Sequence, residues 1–191
     1  MIHKIKAYKG VKMLKGNSRL ITICLLFYVF CQKVYWTLKI NPYLIFFGCS
    51  MRGGRDFVSE EELAKIPEII EELGCQVPSK HQSSKSGVED DGKLENRFIH
   101  DRDYRWLIKC RAGIFEISNP SLGTGGEISD MIALDRPVLL LYKKGLEVDV
   151  SKYIQGKKGS EFVHVLVECH AYDTPNDIEK IIREFLKNIR V

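Results

Sequence analysis

Residues 119–127, with the sequence NPSLGTGGE, form a glycine-rich loop whose residue types could do chemistry. The loop follows an apolar run at 114–117 that predicts a buried strand, and a helical pattern begins at Glu127. Backbone N–H groups of such a loop can surround a phosphate, and Ser121 and Thr124 add hydroxyls. A phosphate repels a neighbouring carboxylate, so Glu127 needs a reason to be there. Attack on a sugar carbon next to the phosphate is one reason, and a carboxylate favoured by the helix dipole is the structural alternative.

Two further segments carry residues that could join this loop at one site. The loop at 50–55 (SMRGGR) offers a serine, two glycines and two arginines, and the helical pattern at 94–109 offers Asp101 and Asp103. Paired carboxylates are the usual means of cleaving a glycosidic bond, with one attacking the anomeric carbon while another group handles the proton of the leaving group. The combination predicts a phosphate-bearing glycoside as the substrate.

The elements that must position these residues alternate between strands and helices. Apolar runs and amphipathic patterns predict strands at 43–49, 75–77, 113–117, 138–142 and 162–168, and helices at 59–73, 94–109, 127–134 and 174–190. The polar segment 78–93 predicts a mobile loop. This alternation predicts an α/β fold, a single Rossmann-like domain with a parallel five-stranded sheet flanked by helices. Ligands bind beyond the carboxyl ends of such strands, which is where both glycine loops fall.

Composition and charge limit the classes of protein to which this chain can belong. At 191 residues and 45% hydrophobic content, the chain corresponds to one globular domain with an extension. Its net charge of +4 comes without a Lys/Arg stripe interleaved with aromatic residues, so we expect no nucleic-acid partner. The six cysteines lack metal-ligand spacing. We therefore expect no metal, and free thiols in a reducing compartment, the cytoplasm or the nucleus.

The first 42 residues form an extension that the strand and helix pattern does not include. Lysines precede an apolar run at 20–31, as in a signal peptide, but no small-residue cleavage site follows. This run is also shorter than the ~20 residues that a membrane-spanning helix needs. A membrane anchor, an accessory helix and residues upstream of the true start are the three alternatives. We favour the last two over membrane contact, and expect the catalytic domain at 43–191.

At three segments the chain resembles the nucleoside 2-deoxyribosyltransferase superfamily, with its 2'-deoxynucleoside 5'-phosphate N-hydrolase branch the better match. The segments are 50–55 (SMRGGR), 99–107 (IHDRDYRWL) and 119–127 (NPSLGTGGE), in the family's order and approximate spacing. The resemblance covers roughly 43–190. It implies hydrolysis of the N-glycosidic bond of 2'-deoxynucleoside 5'-monophosphates, giving free base and 2-deoxyribose 5-phosphate without a cofactor.

The resemblance also implies roles for individual residues. Glu127 would attack C1' and form a glycosyl-enzyme ester, while Asp103 would assist departure of the base and then activate water. His81 would contact the sugar or the base. The segment Lys158-Gly159-Ser160 would reach into the site of a partner subunit, making the protein a homodimer with shared active sites. The other substrate-binding residues that the resemblance implies, most of them around the phosphate, are Ser50, Met51, Arg52, Gly53, Gly54, Arg55, Ser121 and Gly123.

Two other functions stay open, and departures from the family pattern motivate the first of them. Cys49 stands where the family has a glycine before the serine of the first loop, and Phe46 replaces a tyrosine whose hydroxyl could orient the glutamate. A non-catalytic nucleotide-binding protein is therefore one alternative. The other is a nucleoside 2-deoxyribosyltransferase, which would use Glu127 to pass deoxyribose to another base without needing a phosphate-binding arginine.

Overall fold

The structure, a computed structural model, describes residues 40–190. The predicted apolar run at 20–31 and nearly all of the predicted extension lie outside the described residues. The elements follow one another as β1 (Asn41–Gly48), α1 (Glu60–Glu72), a 3-10 helix (Lys80–Ser83), α2 (Lys85–Asp91), α3 (Asn96–Lys109), β2 (Cys110–Glu116), α4 (Leu122–Ala133), β3 (Val138–Lys143), α5 (Lys152–Gln155), β4 (Val167–Tyr172) and α6 (Pro175–Asn188). None of the helices between residues 40 and 190 has the length and apolar character of a membrane span.

One parallel sheet with the strand order β1-β2-β3-β4 carries the fold, which confirms the predicted α/β class. Successive side chains of β1 enter opposite layers. Ile45 and Phe47 join a buried apolar cluster with α1 and α6, whereas Phe46 joins a second cluster with α3 and α4. Helices therefore cover both faces of the sheet, as the continuous apolar strands of a parallel sheet require.

The predicted count of five strands is wrong, because the described chain has a four-stranded sheet. Residues 75–77 form only one parallel bridge, between Gln76 and Leu44. Pro78 follows immediately, and its missing N–H cannot continue the ladder. The predicted strand at 162–168 pairs with β3 only from Val167 onward. Residues before it pack partly against the apolar cluster without joining the sheet, so their alternation reports burial but not pairing.

Two further predictions, of one helix and one loop, also need correction. Helix α4 begins at Leu122 rather than at 127, because Ser121 caps it by accepting a hydrogen bond from the Thr124 backbone N–H. The predicted loop at 78–93 is folded into the 3-10 helix and α2. Ser84 caps α2 through the backbone N–H of Gly87. Both corrections matter because these segments form walls of the cavity described next.

Candidate active site

A cavity of about 960 Å³ lies where the loops after β1 and β2 meet the amino-terminal part of α4. This volume falls within the range of small-molecule sites, roughly 300–1,000 Å³. The cavity brings together seven of the predicted site residues, namely Met51, Arg52, Gly53, Asp103, Ser121, Gly123 and Glu127. Its wall also includes Cys49, Gln82, Asp91, Ile99, Pro120, Leu122, Thr124, Gly125, Ser129, Ser151, Tyr153 and Ile154.

Glu127 lies in the second turn of α4 and is partly exposed to the cavity. Gln82 Nε2 donates a 3.3 Å hydrogen bond to Glu127 Oε1. Strand β1 ends beside the carboxylate at Gly48, where a Cβ would stand 2.9 Å from Glu127 Oε2. Burial, followed by repulsion from Asp103, raises the pKa of Glu127 from 4.5 to about 8, and the bond from Gln82 opposes the rise. A carboxyl group with a strongly raised pKa in a cavity is a candidate catalytic group.

Asp103 reaches the same cavity from α3 and is held by its neighbour Arg102. Arg102 Nε donates to Asp103 Oδ1 at 2.8 Å, and its two terminal nitrogens donate to the oxygens of Asp91 at 2.7 and 2.9 Å. The hydrogen bonds from Arg102 hold the pKa of Asp91 below its ordinary value. Asp103 therefore sits beside a cation, whereas Glu127 is largely desolvated and is repelled by Asp103. Two titratable groups in such different environments are suited to different proton-transfer roles.

The amino-terminal end of α4 offers a place for an anion. Gly53 lies so close to the Pro120 carbonyl that a Cβ would collide with it, so the two glycine loops are in direct contact. Thr124 Oγ1 is buried and finds no hydrogen-bond partner among residues 40–190. Arg52 is exposed and lines the cavity, and Ser121 lies at the cap of the helix. A helix terminus, hydroxyls and an arginine together suit a phosphate.

Three predicted residues of the first loop are not on the cavity wall of the described chain. Ser50 is buried, and its hydroxyl donates to the Pro120 carbonyl at 3.4 Å, which ties the two loops together. Gly54 has a φ of 100°, a conformation that favours glycine, and so turns the loop. Arg55 directs its guanidinium away, to two backbone carbonyls of the 3-10 helix at 3.1 and 3.2 Å.

His81 lies behind the wall and not on it. Its Nε2 is 3.1 Å from Arg102 Nη2 and 3.5 Å from Asp91 Oδ2, and its ring contacts the edge of Trp106. Burial, followed by repulsion from Arg102, lowers the pKa of His81. The structure thus places His81 in contact with the group that holds Asp103.

The predicted segment Lys158-Gly159-Ser160 forms a separate turn that does not reach the cavity of the described chain. Lys158 Nζ donates to the Cys169 carbonyl at 3.4 Å, and Ser160 Oγ accepts from the Phe162 backbone N–H at 3.3 Å. Lys158 and Gly159 are exposed. The segment is therefore accessible from outside the chain.

Comparison with known proteins gives the family. No family model matches the chain. A protein of Trichoplax adhaerens named 2'-deoxynucleoside 5'-phosphate N-hydrolase 1 is 34% identical over 129 residues, which are 68% of this chain and 85% of that relative. The chain belongs to the 2'-deoxynucleoside 5'-phosphate N-hydrolase family. The resemblance seen in the three sequence motifs is thereby confirmed.

Other members of this N-hydrolase family match at comparable length. A relative of the same name from Methanosarcina mazei is 31% identical over 143 residues, 75% of this chain and 83% of that protein. The 5-hydroxymethyl-dUMP N-hydrolase of Tetraodon nigroviridis is 27% identical over 146 residues, 75% of this chain and 97% of that protein. The solved CMP N-glycosidase BcmB of Clostridium botulinum is 20% identical with a TM-score of 0.51, covering 74% of this chain and 98% of that one, and shows the same fold.

Several cavity residues of this N-hydrolase family member were not among the sequence predictions. The most important are Gln82 and Asp91, which lie in the segment predicted as a mobile loop, and Tyr153 of α5, which is 77% exposed. Ser84, a capping residue type, could have indicated the start of α2. No local pattern indicates that Asp91 would reach a helix that begins five residues further along the chain.

Proposed function

We propose that the protein hydrolyses the N-glycosidic bond of 2'-deoxynucleoside 5'-monophosphates, giving the free base and 2-deoxyribose 5-phosphate. The observation that carries the proposal is the placement of Glu127 and Asp103 on the wall of one cavity, next to the amino-terminal end of α4. The family of the chain and the names of its relatives support the same substrate class.

The two carboxyl groups account for both steps of the reaction. Because the pKa of Glu127 is raised to about 8, the site holds a proton at neutral pH, and in the proposed reaction this proton reaches the leaving base through Asp103. A Glu127 oxygen forms a bond to C1', the C1'–N bond breaks, and the base leaves with the electron pair and the proton of Asp103. Water then attacks C1' and gives a proton to Asp103, and Glu127 departs as a carboxylate.

The 5'-phosphate anchors the substrate in this scheme. Arg52 and Ser121 line the cavity together with Gly53 and Gly123, and the end of α4 supplies backbone N–H groups. A phosphate held there is close to Glu127, which lies one turn further along the same helix. Anchoring places the sugar against the carboxylate and offsets the repulsion between two anions.

A deoxynucleotide assay tests the proposal. The full chain is incubated with the four deoxynucleoside monophosphates, with the corresponding ribonucleotides and with the unphosphorylated deoxynucleosides. Free base is measured in each reaction. One further reaction contains a second base, so that base exchange can be detected. We expect base release from the deoxynucleoside monophosphates that declines as the pH rises through about 8, where the pair loses its proton. Exchange of bases without a 5'-phosphate indicates a transferase, and tight binding without turnover indicates a binding protein.

Variants assign the roles of the two carboxyl groups. Glu127→Ala should abolish base release while leaving phosphate-dependent binding largely intact, and Asp103→Asn should lower turnover by about 10²–10⁴-fold. Asp101→Asn is the matched control, because Asp101 is an exposed carboxylate on the same helix. Near-normal activity of Glu127→Ala contradicts the assignment of the nucleophile.

We also propose a homodimer in which Ser160 reaches the partner's site. Its support is the exposure of Lys158 and Gly159 and the absence of this segment from the cavity wall of the described chain. Light scattering measures the oligomeric state, and Ser160→Ala should weaken substrate binding. An active monomer contradicts this arrangement.

The cytoplasm or the nucleus is our proposed compartment. The cysteines of the described chain are free, and Cys49, Cys75 and Cys110 are buried, as is common in a reducing environment. Microscopy of a fluorescent fusion of the full chain tests this, and a membrane or secreted signal contradicts it.

A further inference from the structure

The carboxylate of Glu127 receives a hydrogen bond from an element that the sequence motifs do not include. Phe46, on β1, is fully buried and its ring packs on Phe115 at 5.8 Å between centroids, so it offers no hydroxyl. Gln82, from the 3-10 helix, instead donates its Nε2 proton to Glu127 Oε1 at 3.3 Å. Gln82 is 2% exposed and lines the cavity.

The backbone of Gln82 is itself held from two directions. The Cys49 thiol donates to the Gln82 carbonyl at 3.3 Å, and Arg55 Nη2 donates to the same oxygen at 3.2 Å. Arg55 Nη1 donates to the neighbouring Ser83 carbonyl at 3.1 Å, and the guanidinium lies 3.7 Å from Glu60. The guanidinium of Arg55 is therefore already engaged by these partners. The same contacts restrict the backbone of Gln82.

We propose that Gln82 orients the Glu127 carboxylate for attack on the sugar, and that Arg55 is a positioning residue that fixes the turn carrying Gln82 and does not bind phosphate. This inference rests on the proposed function, because it assumes that Glu127 is the nucleophile. It assigns a task to two residues for which the paired-carboxylate mechanism has no other use.

The charges that face Glu127 determine what loss of the Gln82 bond does. Asp103 of α3 and Asp130 of α4 disfavour an ionised Glu127, Arg102 favours it, and Cys49 faces it as a buried neutral thiol. A hydrogen bond to the ionised form stabilises that form. Without the Gln82 donor, repulsion from the two aspartates is less well offset, and the arrangement with an ionised Glu127 is less populated.

The experiment compares the pH profile of kcat/KM for Gln82→Met with that of the wild type on a deoxynucleoside monophosphate. Loss of a hydrogen bond to a charged group should raise the pKa of Glu127 by about one unit. This shift lowers the population of ionised Glu127 about tenfold. We expect kcat at pH 7 to fall about tenfold with little change in KM. The alkaline midpoint should move from about 8 to about 9. An unshifted midpoint overturns the role of Gln82, because a purely structural residue lowers activity without moving it.

Arg55→Met tests the second half of the proposal. We expect a smaller shift of the midpoint in the same direction and an unchanged KM. A raised KM for the monophosphate with an unshifted midpoint instead makes Arg55 a phosphate ligand and overturns its positioning role. Arg105→Met is the matched control, since Arg105 is an exposed arginine of α3, and its profile should coincide with that of the wild type.

A measurement without turnover separates this inference from the proposed function. If the wild type releases no base, the proposed function fails, but the ionisation of Glu127 can still be followed by carbon NMR of the labelled carboxyl group. The midpoint of Glu127 should be higher in Gln82→Met than in the wild type. Gln82→Asn should give the same result, because its shorter side chain cannot reach Glu127. This variant keeps a polar side chain and serves if Gln82→Met folds poorly. Midpoints equal to that of the wild type overturn the inference.

Discussion

Replacing Glu127 by glutamine should stabilise the protein, and the gain should depend on pH. Burial and Asp103 raise the pKa of Glu127 from 4.5 to about 8 in the folded state. Below pH 4.5 the group is protonated in both states, so it makes no difference to stability. Between pH 4.5 and 8 the Glu127 carboxyl group is ionised in the unfolded state but protonated in the folded state. The wild type therefore loses stability relative to Glu127→Gln as the pH rises. At 1.36 kcal/mol per pKa unit, the loss is about 3 kcal/mol at pH 7 and about 5 kcal/mol above pH 8.

Urea unfolding of the wild type and Glu127→Gln between pH 4 and pH 9 measures this difference. Burial also raises the pKa of Glu116 to about 7, which adds to the pH dependence of both proteins and cancels in the comparison. We expect equal stabilities near pH 4 and a variant that is more stable by several kcal/mol at pH 8, while it releases no base. Equal stability at pH 8, or a gain that is the same at both pH values, would refute the reasoning. Catalytic groups that lower the stability of the folded protein are common in enzymes, because activity requires them.

Two further substitutions test the packing around the site. Gly48→Ala places a methyl group 2.6 Å from the buried Phe115 ring and 2.9 Å from Glu127 Oε2, so we expect a loss of about 1–3 kcal/mol in unfolding free energy and a fall in kcat. Its control, Gly126→Ala in α4, has nothing within 4 Å of the added methyl group and should be neutral or stabilising. Asp91→Ala removes a partner of the largely buried Arg102 guanidinium and should lower the unfolding free energy by about 3 kcal/mol. Its control, Asp90→Ala, breaks an exposed ion pair with Lys93 and should lower it by at most about 1 kcal/mol. Urea unfolding measures both values.

The fold could be predicted as far as burial determines it. The apolar runs that contain Phe47, Ile114 and Leu140 predict β1, β2 and β3, and the structure places these three residues in the core. Apolar periodicity reports which residues leave water, but it does not report which backbone groups pair. For that reason the segments at 75–77 and 162–168 were predicted as strands although neither adds a complete strand at those positions.

The meeting of the two glycine loops could also be predicted, because parallel strands bring their carboxyl ends to one edge of the sheet. Gln82, Asp91 and the direction of Arg55 could not. Each depends on a hydrogen bond between separate elements, from Gln82 to Glu127, from Arg102 to Asp91, and from Arg55 to the carbonyls of the 3-10 helix. Such contacts leave no periodic pattern in the sequence. An arginine in a glycine-rich loop could bind an anionic ligand or, as Arg55 does, backbone carbonyl groups.

The stereochemistry of sugar transfer to methanol tests the central claim most directly. Free 2-deoxyribose 5-phosphate loses its anomeric configuration in water, whereas a methyl glycoside retains it and can be assigned by proton NMR. Attack by Glu127 followed by attack of methanol inverts C1' twice, so the account predicts a methyl 2-deoxyriboside 5-phosphate with the β configuration of the substrate. A product with the α configuration would contradict it, because a single displacement needs no covalent bond to Glu127.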